Sequence, residues 1–133
     1  MPFSRAQVRL GGQVKDLKPG DGWCAAPSIT SQAADSAQTI SAAAVAGGLY
    51  VRSGLTTGRT DTTDTAANLL AALPDMDIGE SFLLAVSNVT GQTLTIAGGT
   101  GVTVVGQSTV LLNTMRFFMF TRTGATAFDC RGL

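Results

Sequence analysis

A chain of 133 residues falls in the range of a single domain and is long enough to bury its own core without metals or staples. Nine basic and nine acidic residues cancel, and histidine is absent, which removes the commonest base and ligand from serine, cysteine and zinc constellations. Only 14% of the chain is charged, against the roughly 25% usual for soluble domains. Such a surface is tolerable where partner subunits cover it, since a net charge near zero otherwise favours association. The other reading is a strand-rich protein whose surface is polar through Thr, Ser and Gln.

No run approaches the roughly 18 uninterrupted apolar residues of a membrane helix, so no membrane partner is expected. The opening Met-Pro-Phe-Ser-Arg carries no apolar core followed by a small-residue cleavage site, which predicts a chain that stays in the compartment where it is made.

Residues 1–36 lack a clean period. Arg5, Arg9, Lys15 and Lys18 stand against a lone Asp16, and the Gly11-Gly12 and Pro19-Gly20-Asp21-Gly22 clusters break the segment twice. The segment reads as an extended arm with one short strand, Gln7 to Leu10. Its four basic residues are candidates for lying along a neighbouring subunit or an acidic surface; the alternative is an ordinary terminus packed on its own sheet. Four cations without aromatic interleaving do not amount to a nucleic-acid footprint. Trp23 reads as a cap over the core, and Ser28 to Ser36 as polar linker.

The domain proper spans 37–133. Thr39-Ile40 leads into the Ala-rich Ser41 to Ala46, which is read as strand in preference to helix. Gly47 to Ser53 is the first convincing strand: Leu49 and Val51 share one face, Tyr50 and Arg52 the other. Leu55 to Asp64 reads as a hydroxyl-rich loop. Asp64 or Thr65 offers an N-cap to a short helix over 65–73, with an apolar stripe of Leu69, Leu70 and Leu73 and a stop at Pro74. From Ser81 onward, apolar and β-branched runs over 81–87, 93–97, 102–105, 108–112, 115–122 and 127–131 are cut apart by Asn, Gly, Thr and Ser, the pattern of an antiparallel meander. The predicted fold is therefore all-β: an antiparallel β-sandwich or jelly-roll-like domain with one short helix and an extended N-terminal arm.

The motifs with the outline of a chemical site fail individually. Gly99-Thr100-Gly101-Val102-Thr103-Val104 starts like a dinucleotide fingerprint, but it lacks the third glycine and runs into β-branched residues instead of a helix. Asp75, Asp77 and Glu80 lack the spacing of a calcium loop, although a carboxylate-dependent hydrolase stays open as a third reading. Cys24 and Cys130 form neither a metal spacing nor a redox pair; they are read as small buried hydrophobes, their pairing undecided. No catalytic residue, cofactor or metal site is predicted, and no enzyme. Phe117-Phe118-Met119-Phe120 is the densest apolar run; a half-buried strand would show Phe118 and Phe120 to water, so both faces must be covered, by a second sheet, the helix or a neighbouring subunit, and Phe118 and Phe120 are the candidate interface residues.

Several segments carry a family likeness. Leu73-Pro74, Ile78-Gly79-Glu80-Ser81-Phe82, Ser87-Asn88, the run Leu94 to Val104 (LTIAGGTGVTV) and the closing strand with Arg122 together resemble tailed-bacteriophage virion proteins of the capsid cement or decoration type, over roughly residues 38–131. The resemblance implies a structural protein on the outer surface of a capsid, bound to the major capsid protein as a dimer or trimer, assembled in the host cytoplasm and stabilising the shell. Similar hairpins occur in phage tail and fibre modules, so attachment to a host surface is the alternative function.

Overall fold

The computed structural model describes the backbone of residues 7–10 and 13–16 and all of residues 28–133. Strands β1 (Gln7–Leu10) and β2 (Gln13–Asp16) pair antiparallel, Gln7 opposite Asp16 and Leu10 opposite Gln13. The two residues between them are Gly11 and Gly12, a pair suited to two-residue hairpin turns. The arm thus carries two strands where one was expected, because β2 has a single apolar residue, Val14, and no visible period. Arg9 and Lys15 lie on this hairpin; Arg5, Lys18, Trp23 and Cys24 lie outside the described residues.

The remaining strands are β3 (Ser28–Gln32), β4 (Thr39–Ile40), β5 (Gly48–Arg52), β6 (Arg59–Thr63), β7 (Ser81–Asn88), β8 (Leu94–Ala97), β9 (Val102–Gly106), β10 (Thr109–Val110), β11 (Thr114–Gly124) and β12 (Ala127–Gly132). They form a six-stranded sheet, β3-β5-β7-β11-β12-β9, and a four-stranded sheet, β10-β8-β6-β4. From β3 to β11 the chain alternates strictly between the two. The pairs β3/β5, β5/β7, β4/β6 and β6/β8, each joined through a strand of the other sheet, are all parallel.

This alternation corrects the antiparallel expectation. Only β7/β11/β12 and β8/β10 pair antiparallel within these two sheets, and β9 returns to the sheet edge parallel to β12. The fold is mostly β, in two mixed sheets with two helices.

Ser41 to Ala46 is helical, not extended: α1 spans Ala42–Gly47. The Ser41 hydroxyl accepts from the Ala44 amide at 3.2 Å, alanine is the best helix former, and Gly48 closes the helix in the left-handed region at φ 91°. The second helix, α2 (Ala66–Ala72), starts as expected from Thr65, whose hydroxyl accepts from the Asn68 amide. The Ser28–Ser36 linker and the Leu55–Asp64 loop also change status, supplying β3 and β6. Their Ser and Thr residues hide strand pairing behind a turn-like composition.

One hydrophobic cluster unites both sheets and both helices. Tyr50, Phe82, Leu84, Val86, Phe118, Phe120, Phe128 and Cys130 enter it from the large sheet, Ile40, Leu94, Ile96 and Val110 from the small one, and Val45, Ala66, Leu69 and Leu73 from the helical segments. Phe82 stacks on Phe120 with ring centres 5.2 Å apart and meets Phe128 edge-on. No described helix is long and apolar enough to cross a membrane.

Asp64 ties the two helix starts together. Its carboxylate accepts from the Ala42 amide at 3.0 Å, from the Thr65 amide at 2.8 Å and from the Asn68 side chain at 2.7 Å. These bonds, led by the one from Asn68, hold its carboxyl below the ordinary value of 3.8. A folded value below the unfolded one contributes stability that is present above the ordinary carboxylate range and lost as pH falls through it. Asp64→Asn is expected to flatten the acid side of the stability curve below about pH 4, as read by urea unfolding across pH.

Candidate functional surface

The glycine-rich fingerprint-like segment is a packing device. Gly99 donates its amide to the Thr63 hydroxyl at 3.0 Å, and the Thr100 carbonyl accepts from Ala66 at the start of α2. A β-carbon at Gly99 would lie 2.5 Å from the Thr63 carbonyl oxygen, and Gly101 holds φ 83° with Ala66 and Thr126 against it. The first turn of α2 is therefore occupied by the chain itself.

The most polar buried cluster is also closed. Arg52 on β5 and Asp61 on β6 are both fully buried and join the two sheets, Arg52 Nε to Asp61 Oδ2 at 2.8 Å. Tyr50 donates its hydroxyl to the same oxygen at 2.8 Å, and the Gln38 amide donates to Oδ1 at 3.0 Å. The other guanidinium nitrogens donate to the carbonyls of Ala34 at 2.6 Å and Ser36 at 2.5 Å, fixing the loop after β3. Burial, reinforced by the hydrogen bond to Asp61, pushes the Tyr50 hydroxyl well above its usual titration range. With its donors and acceptors engaged and no exposure, the cluster is a bolt between sheets. The alternation of Tyr50 and Arg52 is visible in the sequence, but without the pairing of β6 nothing marks that face as the inner one.

Asn88 plays a similar part at the end of β7. Its side-chain amide donates to the carbonyls of Gln92 at 2.6 Å and Val110 at 3.0 Å, while its oxygen accepts from the amide and hydroxyl of Thr90. Asp75, Asp77 and Glu80 lie between α2 and β7, where Glu80 Oε1 accepts from the Asp77 amide at 2.6 Å and so closes the turn. Among the described residues no group of three His, Cys, Asp or Glu is placed to hold a metal ion.

Cys130 is fully buried, and burial pushes its thiol up to about 12. In a Cys24→Ser background, a thiol reagent at pH 8 is expected to label Cys130 only as the chain unfolds. Labelling of the native chain at the rate of a free thiol would contradict its placement.

The surface that stands out is the outer face of the six-stranded sheet. Along β11 the side chains alternate, and the register is the reverse of the one expected. Phe118 and Phe120 are both 0% exposed and belong to the core, whereas Met115, Phe117 and Met119 point outward. The correction has a plain cause. Two large ring residues gain most where Phe82 and Phe128 also lie, leaving the flexible methionines on the other side.

Carried across the sheet by its register, this outer face includes Ile29 on β3, Leu49 and Val51 on β5, and Leu83, Ala85 and Ser87 on β7. Ile29 is 68% exposed and Met115 53%. By the same alternation, the charged residues on the described part of this face are Asp129 and Arg131, both on β12. A shallow open depression lined by Ser87, Asn88, Val89, Asn113, Thr114 and Met115 marks one end of the face.

Compared with protein-family models, curated proteins and solved structures, the chain finds no match in any of the three.

Proposed function

We propose that this chain is a structural, non-enzymatic virion protein of the capsid cement type, which binds the outer surface of a tailed-phage shell through the major capsid protein and stabilises it. The observation that carries this reading is the outer face of the six-stranded sheet. Among the described residues, β3, β5, β7 and β11 contribute apolar side chains to it, Val105 on β9 adds a fifth strand, and the charged residues are confined to β12. Contiguous apolar surface of that extent marks an interaction site on a soluble protein. The likeness of residues 38–131 to cement proteins names the assembly, and the low charge of the chain agrees with a surface largely covered by neighbours. In the same reading, the two sheets with their shared core form a β-sandwich, and the basic residues Arg5, Arg9, Lys15 and Lys18 lie along an acidic coat surface. Many weak contacts suffice there, because an oligomer engaging several coat subunits gains effective concentration.

The test is the copy number of this chain relative to the major capsid protein in purified particles, by quantitative mass spectrometry. A ratio near that of the coat protein is expected. A handful of copies per particle would instead place the chain in the tail, and absence from particles would remove the virion reading.

A further inference from the structure

We infer that the open edge of the six-stranded sheet, strand β3, takes an extended segment of the major capsid protein as a seventh strand. This rests on the capsid reading above and names how the partner is held. The Gln32 carbonyl accepts from the Ser53 amide at 2.9 Å, one residue beyond Arg52, its partner in the parallel register. In a parallel ladder every second residue turns both of its backbone groups to the same neighbour, so Ser28, Thr30 and Gln32 face β5. Ile29 and Ser31 therefore hold their amides and carbonyls out along the edge, where no described strand pairs with them.

The other sheet edges are guarded, as edges in soluble proteins generally are. In the small sheet the edge strands β4 and β10 are only two residues each. On β9, at the far side of the large sheet, the Phe128 amide donates to the Gly101 carbonyl, which leaves Val102, Val104 and Gly106 turned outward. The Val102 amide already donates to the Gly99 carbonyl at 2.9 Å, and a β-carbon at Gly98 would stand 2.1 Å from the Val102 carbonyl oxygen, so the chain's own turn covers that end. At the other end Gly106 bends the chain in the left-handed region at φ 72°. β3 has no such device. Its sequence, Ser-Ile-Thr-Ser-Gln, holds no charge and no proline, its register with β5 runs unbroken over all five residues, and Ile29 is 68% exposed.

One open edge among closed ones is the arrangement of strand addition, in which backbone hydrogen bonds supply affinity and alternate side chains supply selectivity. What comes to this edge follows from the face beside it. Ile29 belongs both to the edge and to the outward row with Leu49, so a strand added to β3 continues the outer face and belongs to the partner that covers it. Under the capsid reading that partner is the coat protein. The pleat sets the chemistry of the segment: apolar where it lies beside Ile29, short and polar where it lies beside Thr30 on the other face. A charged residue beside Ile29 would lose water with nothing to pair it.

The experiment measures binding of the full-length chain to capsid particles lacking it, for wild type, Ser31→Pro and Ser31→Ala, together with hydrogen exchange of the wild type free and on particles. Proline at 31 removes an amide that faces away from β5, a position where edge strands tolerate it, and alanine keeps that amide while removing the hydroxyl. Ser31→Ala is expected to bind like wild type and Ser31→Pro to bind about tenfold more weakly or worse, with circular dichroism confirming the fold. The Ile29 and Ser31 amides are expected to exchange freely in the free chain and to slow about tenfold or more on particles. The exchange readout needs no variant and so decides the matter if Ser31→Pro fails to fold. Particle binding with both amides still exchanging freely, a folded Ser31→Pro that binds like wild type, or slowing that rises with concentration in the free chain, which would mean self-pairing, would each overturn the inference and leave the capsid reading standing. A wild-type chain that does not bind the particles would remove both.

Discussion

Arg52→Ala is expected to be among the most destabilising single substitutions in the chain. It leaves the Asp61 carboxylate fully buried with its cation gone, and it strips the carbonyls of Ala34 and Ser36 of their donors. Breaking a buried pair from one side typically costs about 3–5 kcal/mol. For a domain of this size that is a fall in melting temperature of roughly 10–20 °C. Tyr50→Phe removes one of three hydrogen bonds to the same carboxylate and is expected to cost about 1–2 kcal/mol. The double variant Arg52→Met with Asp61→Leu should recover part of the loss by removing both charges, but not all of it, because the two loop carbonyls, the Tyr50 hydroxyl and the Gln38 amide are left without these partners. Urea unfolding of the three variants reads these differences directly. An Arg52→Ala chain within 1 kcal/mol of wild type would mean that the two sheets are not joined through this pair.

The second large effect separates the two faces of β11. Phe118→Ala and Phe120→Ala each empty a fully buried ring site, and each is expected to cost about 3–5 kcal/mol. Met119→Ala, on the opposite face, is expected to cost under about 1.5 kcal/mol in stability, and to show its main effect as weaker binding to the capsid. Four consecutive apolar residues thus divide by parity into stability and binding. Equal losses at Met119 and Phe118 would show that both faces are core.

What was legible in the sequence were the segments with strong local periods. The limits of β7, β8, β9, β11 and β12 fall within a few residues of the runs read from apolar alternation, and α2 begins at the Thr65 cap. What was not legible depends on contacts distant in sequence. Ala42–Gly47 has no amphipathic period because Ala44, Val45, Ala46 and Gly47 are all buried; its helical character lies in the Ser41 cap and the Gly48 stop. The segment Arg59–Thr63 looks like a polar loop because its inward residues are Asp61 and Thr63, which are satisfied by Arg52, Tyr50 and the 98–99 turn.

The pairing of strands was beyond reach for a different reason. A period of two is the same whether the chain turns back beside itself or crosses to another sheet, so a meander and this alternating path have the same pattern. The direction of Phe118 and Phe120 was ambiguous for a related reason: where both faces of a strand are apolar, only the neighbours decide which is inside.

Hydrogen peroxide oxidation of the methionines, read by mass spectrometry on the free chain and on purified particles, tests most directly whether one face of β11 is core and the other an interface. Met76 is buried, whereas Met115 and Met119 lie on the outer face. Met115 and Met119 are expected to oxidise readily in the free chain and to be protected several-fold on particles, while Met76 reacts slowly in both. Met115 and Met119 reacting at one rate in both, with the chain folded throughout, would overturn this division of β11.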